Sequence, residues 1–331
     1  MPHPRLQGLL ASVPSGLAYL AGRSQVPGGP AFVTIETVNA CNIACVYCPQ
    51  ADGPEEHFQA GRGVMALADF VRILDRLQAA FALRSVSLHR DGEPLLNRHL
   101  PAFVSELTRR GVSSGMSSNC TLTTPERAHA LVAAGLGSVK TDFCADPNRY
   151  EELRAGARWS EALAGMRNLL AAAGPAFRLR VTDLGTHGVS PDEAEAALTA
   201  TRALLDDQRV TVAPSRMHGA LGSSQLGGAA AGDYVRCHQP WVNLTVDFAG
   251  RAVACCRDLR SEYVLGSLLE QEVEAVWNGP EARRLRRALA QERPQDVSVC
   301  ARCDAPWAGS YSGRSPLEKA ARFVLDPFWA G

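Results

Sequence analysis

Six short β-rich runs alternating with five helical stretches occupy the chain from Phe32 to Val212, and this rhythm restricts the fold more than any other feature. The runs are FVTIETV (32–38), SVSLH (85–89), VSSGMSS (112–118), SVKTDF (138–143), FRLRVTDL (177–184) and RVTVA (209–213). Apolar periodicity predicts helices near 68–80, 98–110, 125–134, 160–172 and 191–205, two of them opened by Pro125 and Pro191. Strands alternating with helices of about 10–15 residues imply βαβ units and a parallel sheet. A closed eight-unit barrel needs about 250 residues, so six units predict an α/β fold of the partial (β/α)6 TIM-barrel type.

The pattern changes after Val212. Residues 214–232 (PSRMHGALGSSQLGGAAAG) are rich in Gly, Ala and Ser and read as a linker. WVNLTVDFAGRAVACC then reads as a β-hairpin turning at Ala249–Gly250, followed by a helix near 281–292 and a loop with Cys300 and Cys303. The expected organisation is an N-terminal extension (1–30), a barrel core (31–213), the linker (214–232), a small hairpin-and-helix domain (233–310) and a tail (311–331).

The 331 residues carry 34 basic and 34 acidic side chains, so bulk charge proposes neither nucleic acid nor an anionic membrane as partner. The chain has no apolar run of about 18 residues and no signal-peptide pattern at its start, which predicts a cytoplasmic protein. Ten cysteines in such a chain suit metal sites or catalytic thiols better than disulfides.

Cys41, Cys45 and Cys48 form C-x3-C-x2-C just after the first strand. Three thiolates so close can hold three irons of a 4Fe–4S cube and leave the fourth iron open. The alternative is a zinc site with a fourth ligand such as His57, for which this spacing is unusual.

The triad, with Tyr47 before its last cysteine and its place after the first strand of a βα array, resembles the radical S-adenosylmethionine (SAM) enzymes. In that family the open iron binds SAM, reductive cleavage yields a 5′-deoxyadenosyl radical, and the radical removes a hydrogen atom from substrate. DGEP (91–94) resembles the family's GGEP motif, with Asp91 in place of its first Gly and Gly92, Glu93 and Pro94 retained. The resemblance assigns Tyr47, Gly92, Glu93, Pro94, Ser118, Asn119 and Arg154 to SAM binding, with Ser117 beside them on the third strand's end.

Cys237, Cys255, Cys300 and Cys303 follow the linker, separated by 17, 44 and 2 residues. Their context resembles the SPASM extension, or its one-cluster form, the twitch domain, which implies a second, auxiliary 4Fe–4S cluster. Four cysteines with one CxxC also suit zinc. Either Cys255 or Cys256 completes the set. Neighbours on a strand point opposite ways, and Cys255 gives the spacing that resembles the twitch pattern. Only Cys120, Cys144 and Cys256 remain, too few for another auxiliary cluster.

The same resemblance extends to 2-deoxy-scyllo-inosamine dehydrogenase and aminoglycoside epimerases. It implies hydrogen abstraction from a secondary-alcohol carbon of an aminocyclitol or aminoglycoside-type sugar in antibiotic biosynthesis, with oxidation to a ketone favoured over epimerisation. An epimerase would need a hydrogen-atom donor, and Cys144, after the fourth strand, is the first candidate; Cys120 and Cys256 are others. Lys140, Asp142, Asp183, His187, Arg216 and His218 are polar groups near strand ends that could bind a sugar or act as base, and His89 and Arg90 are read as shaping the DGEP turn. The implied electron donor is a flavodoxin or ferredoxin. Modification of a ribosomally made peptide is the other implied activity, disfavoured by the forty residues ahead of Cys41, too few for a peptide-recognition domain.

Overall fold

The computed structural model describes residues 13–48, 61–215 and 233–307, and Ser315. Strands β1 (Phe32–Ile35), β3 (Ser85–Ser87), β4 (Ser113–Ser117), β5 (Ser138–Phe143), β7 (Arg178–Asp183) and β8 (Val210–Pro214) lie side by side in that order, every neighbouring pair parallel. This is the partial barrel expected from the sequence. Strands β2 (Ala44–Cys45) and β6 (Arg154–Ala155) form a separate two-stranded antiparallel ribbon that the sequence did not announce.

Period-two alternation divides the barrel strands. In β5 and β7, Val139, Thr141, Phe143, Leu179, Val181 and Asp183 are buried beneath the helices, while Lys140, Asp142, Arg180 and Thr182 on the other face stay partly accessible. The helices supply the apolar cover. Helix Leu67–Ala80 buries Phe70, Ile73, Leu74 and Leu77 at helical spacing, and Phe70 packs on Phe103 of helix Leu100–Arg109 with ring centroids 4.6 Å apart. Local signals set the helix ends. Thr124 caps helix Pro125–Ala134, whose stop at Gly135 needs φ +102°, and Ser190 and Glu193 form a capping box on helix Pro191–Leu205.

After residue 232, β9 (Asn243–Val246) and β10 (Arg251–Val253) form the expected hairpin, with Gly250 at φ +78° in its turn. The hairpin does not stand apart. β9 pairs in parallel with β1, from Phe32↔Asn243 to Ile35↔Val246, and β11 (Val264–Ser267) pairs with β10. One nine-stranded sheet results, in the order β11-β10-β9-β1-β3-β4-β5-β7-β8. The segment before β1 is tied to the same region. Tyr19 Oη donates to the Arg236 carbonyl at 2.8 Å, Trp241 Nε1 donates to the Arg23 carbonyl at 2.7 Å, and Val26 exchanges two 2.9 Å bonds with Asn278.

Candidate active site

The triad loop leaves the sheet after β1 and is pinned from three sides. The ribbon pairs Cys45 with Arg154, and the Val46 amide donates to the Leu153 carbonyl at 3.0 Å. The Glu93 amide donates to the Ala40 carbonyl at 2.8 Å, and Asn119 Nδ2 donates to Asn42 Oδ1 at 2.8 Å. Cys41 and Cys48 are partly accessible and Cys45 is buried. Burial pushes the Cys41 thiol up to about 11 and raises that of Cys45, so a bound cation is needed to hold them as thiolates near neutral pH.

The residues singled out for SAM binding gather around this loop at the C-terminal ends of the strands, the rim where barrel chemistry collects. A Cβ on Gly92 would run into the carbonyl oxygens of Val38 and Ala40, so only glycine lets the DGEP turn lie against the triad loop. Pro94 opens a one-turn 3-10 helix, Pro94–Leu96, with Glu93 as its cap. The buried Glu93 carboxylate accepts from Ser118 Oγ at 2.8 Å, the Asn119 amide at 2.7 Å and the Leu95 amide at 3.1 Å. Glu93 therefore knots the ends of β3 and β4 to the cysteine loop, and Ser118 and Asn119 are its partners in that knot.

Tyr47 and Arg154 form a second knot. Tyr47 Oη donates to Asp142 Oδ2 at 3.2 Å, and Arg154 Nη1 donates to Tyr47 Oη at 3.1 Å and to the Asp142 carbonyl at 3.2 Å. Arg154 Nε is buried with no hydrogen-bond partner among the described residues. A buried, unanswered guanidinium donor beside the triad suits a carboxylate such as that of SAM.

Three neighbours add what the sequence reading left out. Asp91, at the position where the motif departs from Gly, brings Oδ1 to 3.9 Å from Cys48 Sγ. Arg90, read as a turn residue, forms a fully buried ion pair with Glu36 at 3.0 Å and donates to the carbonyl of Asp258 in the C-terminal segment. Burial nonetheless is the larger effect on Glu36 and pushes its carboxyl up, with Arg90 pulling it back. His89 hydrogen-bonds Ser87 Oγ at 2.9 Å and lines the barrel lumen. Burial, then the nearby Lys140 charge, push His89 down to about 4, so its ring is neutral at pH 7. The period-two pattern of SVSLH held the signal for His89; nothing in the sequence paired Arg90 with Glu36.

Cys237, Cys255, Cys300 and Cys303 line one largely apolar cavity with Pro240, Leu285, Leu289 and Val299. Cys256 is not among its lining residues. Cys255 and Cys256 lie in the turn after β10, not on the strand as expected, and the turn carries only the first of them into the cavity. Burial and the neighbouring thiols raise Cys255 and Cys300 well above the usual thiol value. The donor set fits a four-thiolate cluster. Among the described residues, no three His, Cys, Asp or Glu side chains are grouped as ligands of one metal ion.

Cys144 is not brought to this site. It is 1% exposed, its Sγ donates to the Asp146 carbonyl at 3.4 Å, and it does not line the lumen. Cys120 is wholly buried. Burial raises the Cys256 thiol, and the charges of Arg257 and Lys140 pull it back. Asp183 is buried and binds the Gly185 amide at 2.8 Å. Arg149 Nη2 donates to the His187 carbonyl at 3.4 Å. Arg216, His218, His57, most of the linker and, apart from Ser315, the tail lie outside the described residues. Among the described residues, no helix is long and apolar enough to cross a membrane.

Comparison with known proteins agrees with this geometry. The chain is 27% identical over 177 residues to a GTP 3′,8-cyclase of Chlorobaculum tepidum, covering 52% of this chain and 50% of the cyclase, so it spans about half the length of that relative. It is 27% identical over 313 residues to the mycofactocin maturase MftC of Mycobacterium ulcerans, covering 83% of this chain and 80% of the maturase. Among solved structures it resembles BtrN in complex with AdoMet and 2-DOIA, with a TM-score of 0.58 and 17% identity over 86% of this chain and 96% of BtrN. It also resembles Streptococcus suis SuiB bound to precursor peptide SuiA, with a TM-score of 0.63 and 13% identity over 91% of this chain and 77% of SuiB. Residues 237–304 match the iron-sulfur cluster-binding SPASM domain, which implies iron–sulfur chemistry beyond the triad's own 4Fe–4S cluster and SAM. Residues 35–200 match the radical SAM superfamily, and the chain belongs to it.

Proposed function

We propose that this enzyme oxidises a secondary alcohol of a small sugar or cyclitol to a ketone, the aminocyclitol and aminoglycoside class being the one the sequence suggests. Cys41, Cys45 and Cys48 would hold a cluster that supplies the electron for reductive cleavage of SAM, and Cys237, Cys255, Cys300 and Cys303 would hold a second cluster able to accept the electron that the substrate loses. The substrate gives up a hydrogen atom from carbon, a proton from its hydroxyl and one electron. The observation that carries this reading is the auxiliary site itself: four thiols line one largely apolar cavity, a setting that suits a fully protein-ligated, electron-transferring cluster. Cys41, Cys45 and Cys48 hold the first cluster, Arg154 faces the SAM carboxylate, and Glu93 with Asn119 keeps the loop in place. The external electron donor is a flavodoxin or ferredoxin.

The test is anaerobic turnover with a sugar or cyclitol panel in heavy water. A ketone product with one 5′-deoxyadenosine per turnover is expected. Deuterium at an inverted carbon would replace oxidation by epimerisation. Modification of a peptide is the second reading, favoured by the likeness to MftC over 83% of the chain. Turnover of a peptide by the reconstituted enzyme, with none of any sugar, would put it in first place.

A further inference from the structure

Four thiolates gathered in one enclosed site repel one another, and an added electron increases the repulsion. A cation held beside the sulfurs offsets it, and Arg257 is placed to act as that cation. It lies in the turn after β10, two residues beyond Cys255, and it lines the cavity of the four cysteines. Its Nη1 stands 4.0 Å from Cys303 Sγ and donates to Asp304 Oδ1 at 2.7 Å. Asp304 follows Cys303 directly, so the ion pair ties the Cys255 turn to the loop of Cys300 and Cys303. The two side chains are only 11% and 6% exposed, so their fields act through protein and are little screened by salt. The two charges do not cancel at the sulfur. Burial pushes the Cys303 thiol up to about 11, and Arg257 pulls it back by more than Asp304 pushes it on. The other acid of this turn, Asp258, accepts from the Glu262 and Tyr263 amides at 2.9 and 3.0 Å and adds a negative field at Cys300.

We propose that Arg257 sets the reduction potential of the auxiliary cluster, raising it so that the four-cysteine site can accept the electron that the substrate loses. The proposal rests on the oxidation reading above, in which the substrate gives up one electron and this site gains it. Iron–sulfur potentials follow the net charge around the cluster and the hydrogen bonds to its sulfurs, and Arg257 contributes to both at Cys303. A guanidinium keeps its charge at every working pH, and the ion pair fixes where that charge sits. Asp304 therefore has two effects: it orients the guanidinium, and it offsets part of its field.

A potentiometric titration of the anaerobically reconstituted full-length enzyme, followed by electron paramagnetic resonance, tests this. The signal that SAM leaves unchanged and Cys255→Ala removes is the auxiliary one. Arg257→Gln should make electron uptake there about tenfold less favourable, a fall of about 59 mV for one electron. Arg257→Lys keeps the charge and should recover most of that fall. Asp304→Asn removes the offsetting charge and should shift the potential upward. Iron near eight per chain is the folding control. A pair that only held the loops together would cost iron in both variants without driving their potentials in opposite directions. An unmoved potential in Arg257→Gln, or shifts of the same sign in Arg257→Gln and Asp304→Asn, would overturn the proposal. If Arg257→Gln fails to load iron, Asp304→Asn decides alone: an upward shift sustains the proposal, and any other result removes it. Ketone formation by the native enzyme separates the failures. Potentials that move as expected without a ketone from any sugar remove the oxidation reading and leave the role of Arg257 in place, whereas a ketone with unmoved potentials removes only this inference.

Discussion

The two cysteine groups are built in opposite ways. The triad lies within one loop, Cys41 to Cys48, and its surroundings are polar: Asp91, Asn119, Tyr47 and Arg154. The auxiliary four come from three distant segments, and the cavity that gathers them is walled mostly by proline, leucine, alanine and valine, with His238, Gln239 and Arg257 among its lining. A polar rim with an unanswered buried donor receives a polar ligand, whereas an apolar wall excludes one and lowers the local dielectric. Under the proposed function one site binds and the other relays electrons, although both are made of thiols.

Removing ligands from each site breaks the comparison most sharply. Replacing Cys41, Cys45 and Cys48 together by Ala should abolish 5′-deoxyadenosine formation, and iron content should fall from about eight to about four per chain. Persistent cleavage of SAM would mean the triad is not the reducing site. Next in size is Cys255→Ala, which should cost the auxiliary iron and ketone formation while SAM cleavage continues. Cys256→Ala should keep about eight irons. The reverse result for this pair would exchange the two ligands.

These differences also explain what the sequence could and could not disclose. Strand β5 and helices Pro125–Ala134 and Pro191–Leu205 fall on the residues read from pattern and caps, because short-range signals fix them. The triad was legible for the same reason, its ligands lying within a few residues of one another. The joining of β9 to β1, which makes hairpin and barrel one sheet, has no local signature, since it depends on two edges meeting 211 residues apart, as in Phe32↔Asn243. The Cys255 and Cys256 choice turned on a bend after β10 that strand alternation does not describe. The row of Ser87, His89, Lys140 and Arg180 follows the strand alternation, but only the folded sheet shows that those positions line one cavity.

Arg90 joins the two sites, and its loss is the third effect in size. Arg90→Gln leaves the Glu36 carboxylate buried without its cation, at a cost of about 3–5 kcal/mol in unfolding free energy. The sign with pH follows from Glu36. Burial raises its folded-state pKa above the ordinary 4.5, and losing Arg90 raises it further. A raised folded pKa contributes stability that is present below the unfolded value and lost as pH rises. The deficit of the variant against the native enzyme should therefore be largest near pH 8 and shrink toward pH 5. Denaturant unfolding at both values measures it. A deficit independent of pH would mean that Glu36 does not sense Arg90.

The smallest effect expected is at Cys144, and it separates thiols that serve chemistry from those that fill space. Its side chain is 1% exposed, donates to the Asp146 carbonyl and is pushed up to about 12 by burial and by Asp183. A thiol so enclosed behaves as a small apolar group with a weak donor. Cys144→Ala should lower stability by about 1 kcal/mol and leave both product and deuterium content as in the native enzyme. Cys256→Ala is the contrast, because Cys256 follows Cys255 of the auxiliary site directly in the turn after β10. If the native product carries deuterium at an inverted carbon and Cys144→Ala alone removes it, then the path from substrate reaches through the outer wall of β5, and the lumen is not the only face on which this barrel does chemistry.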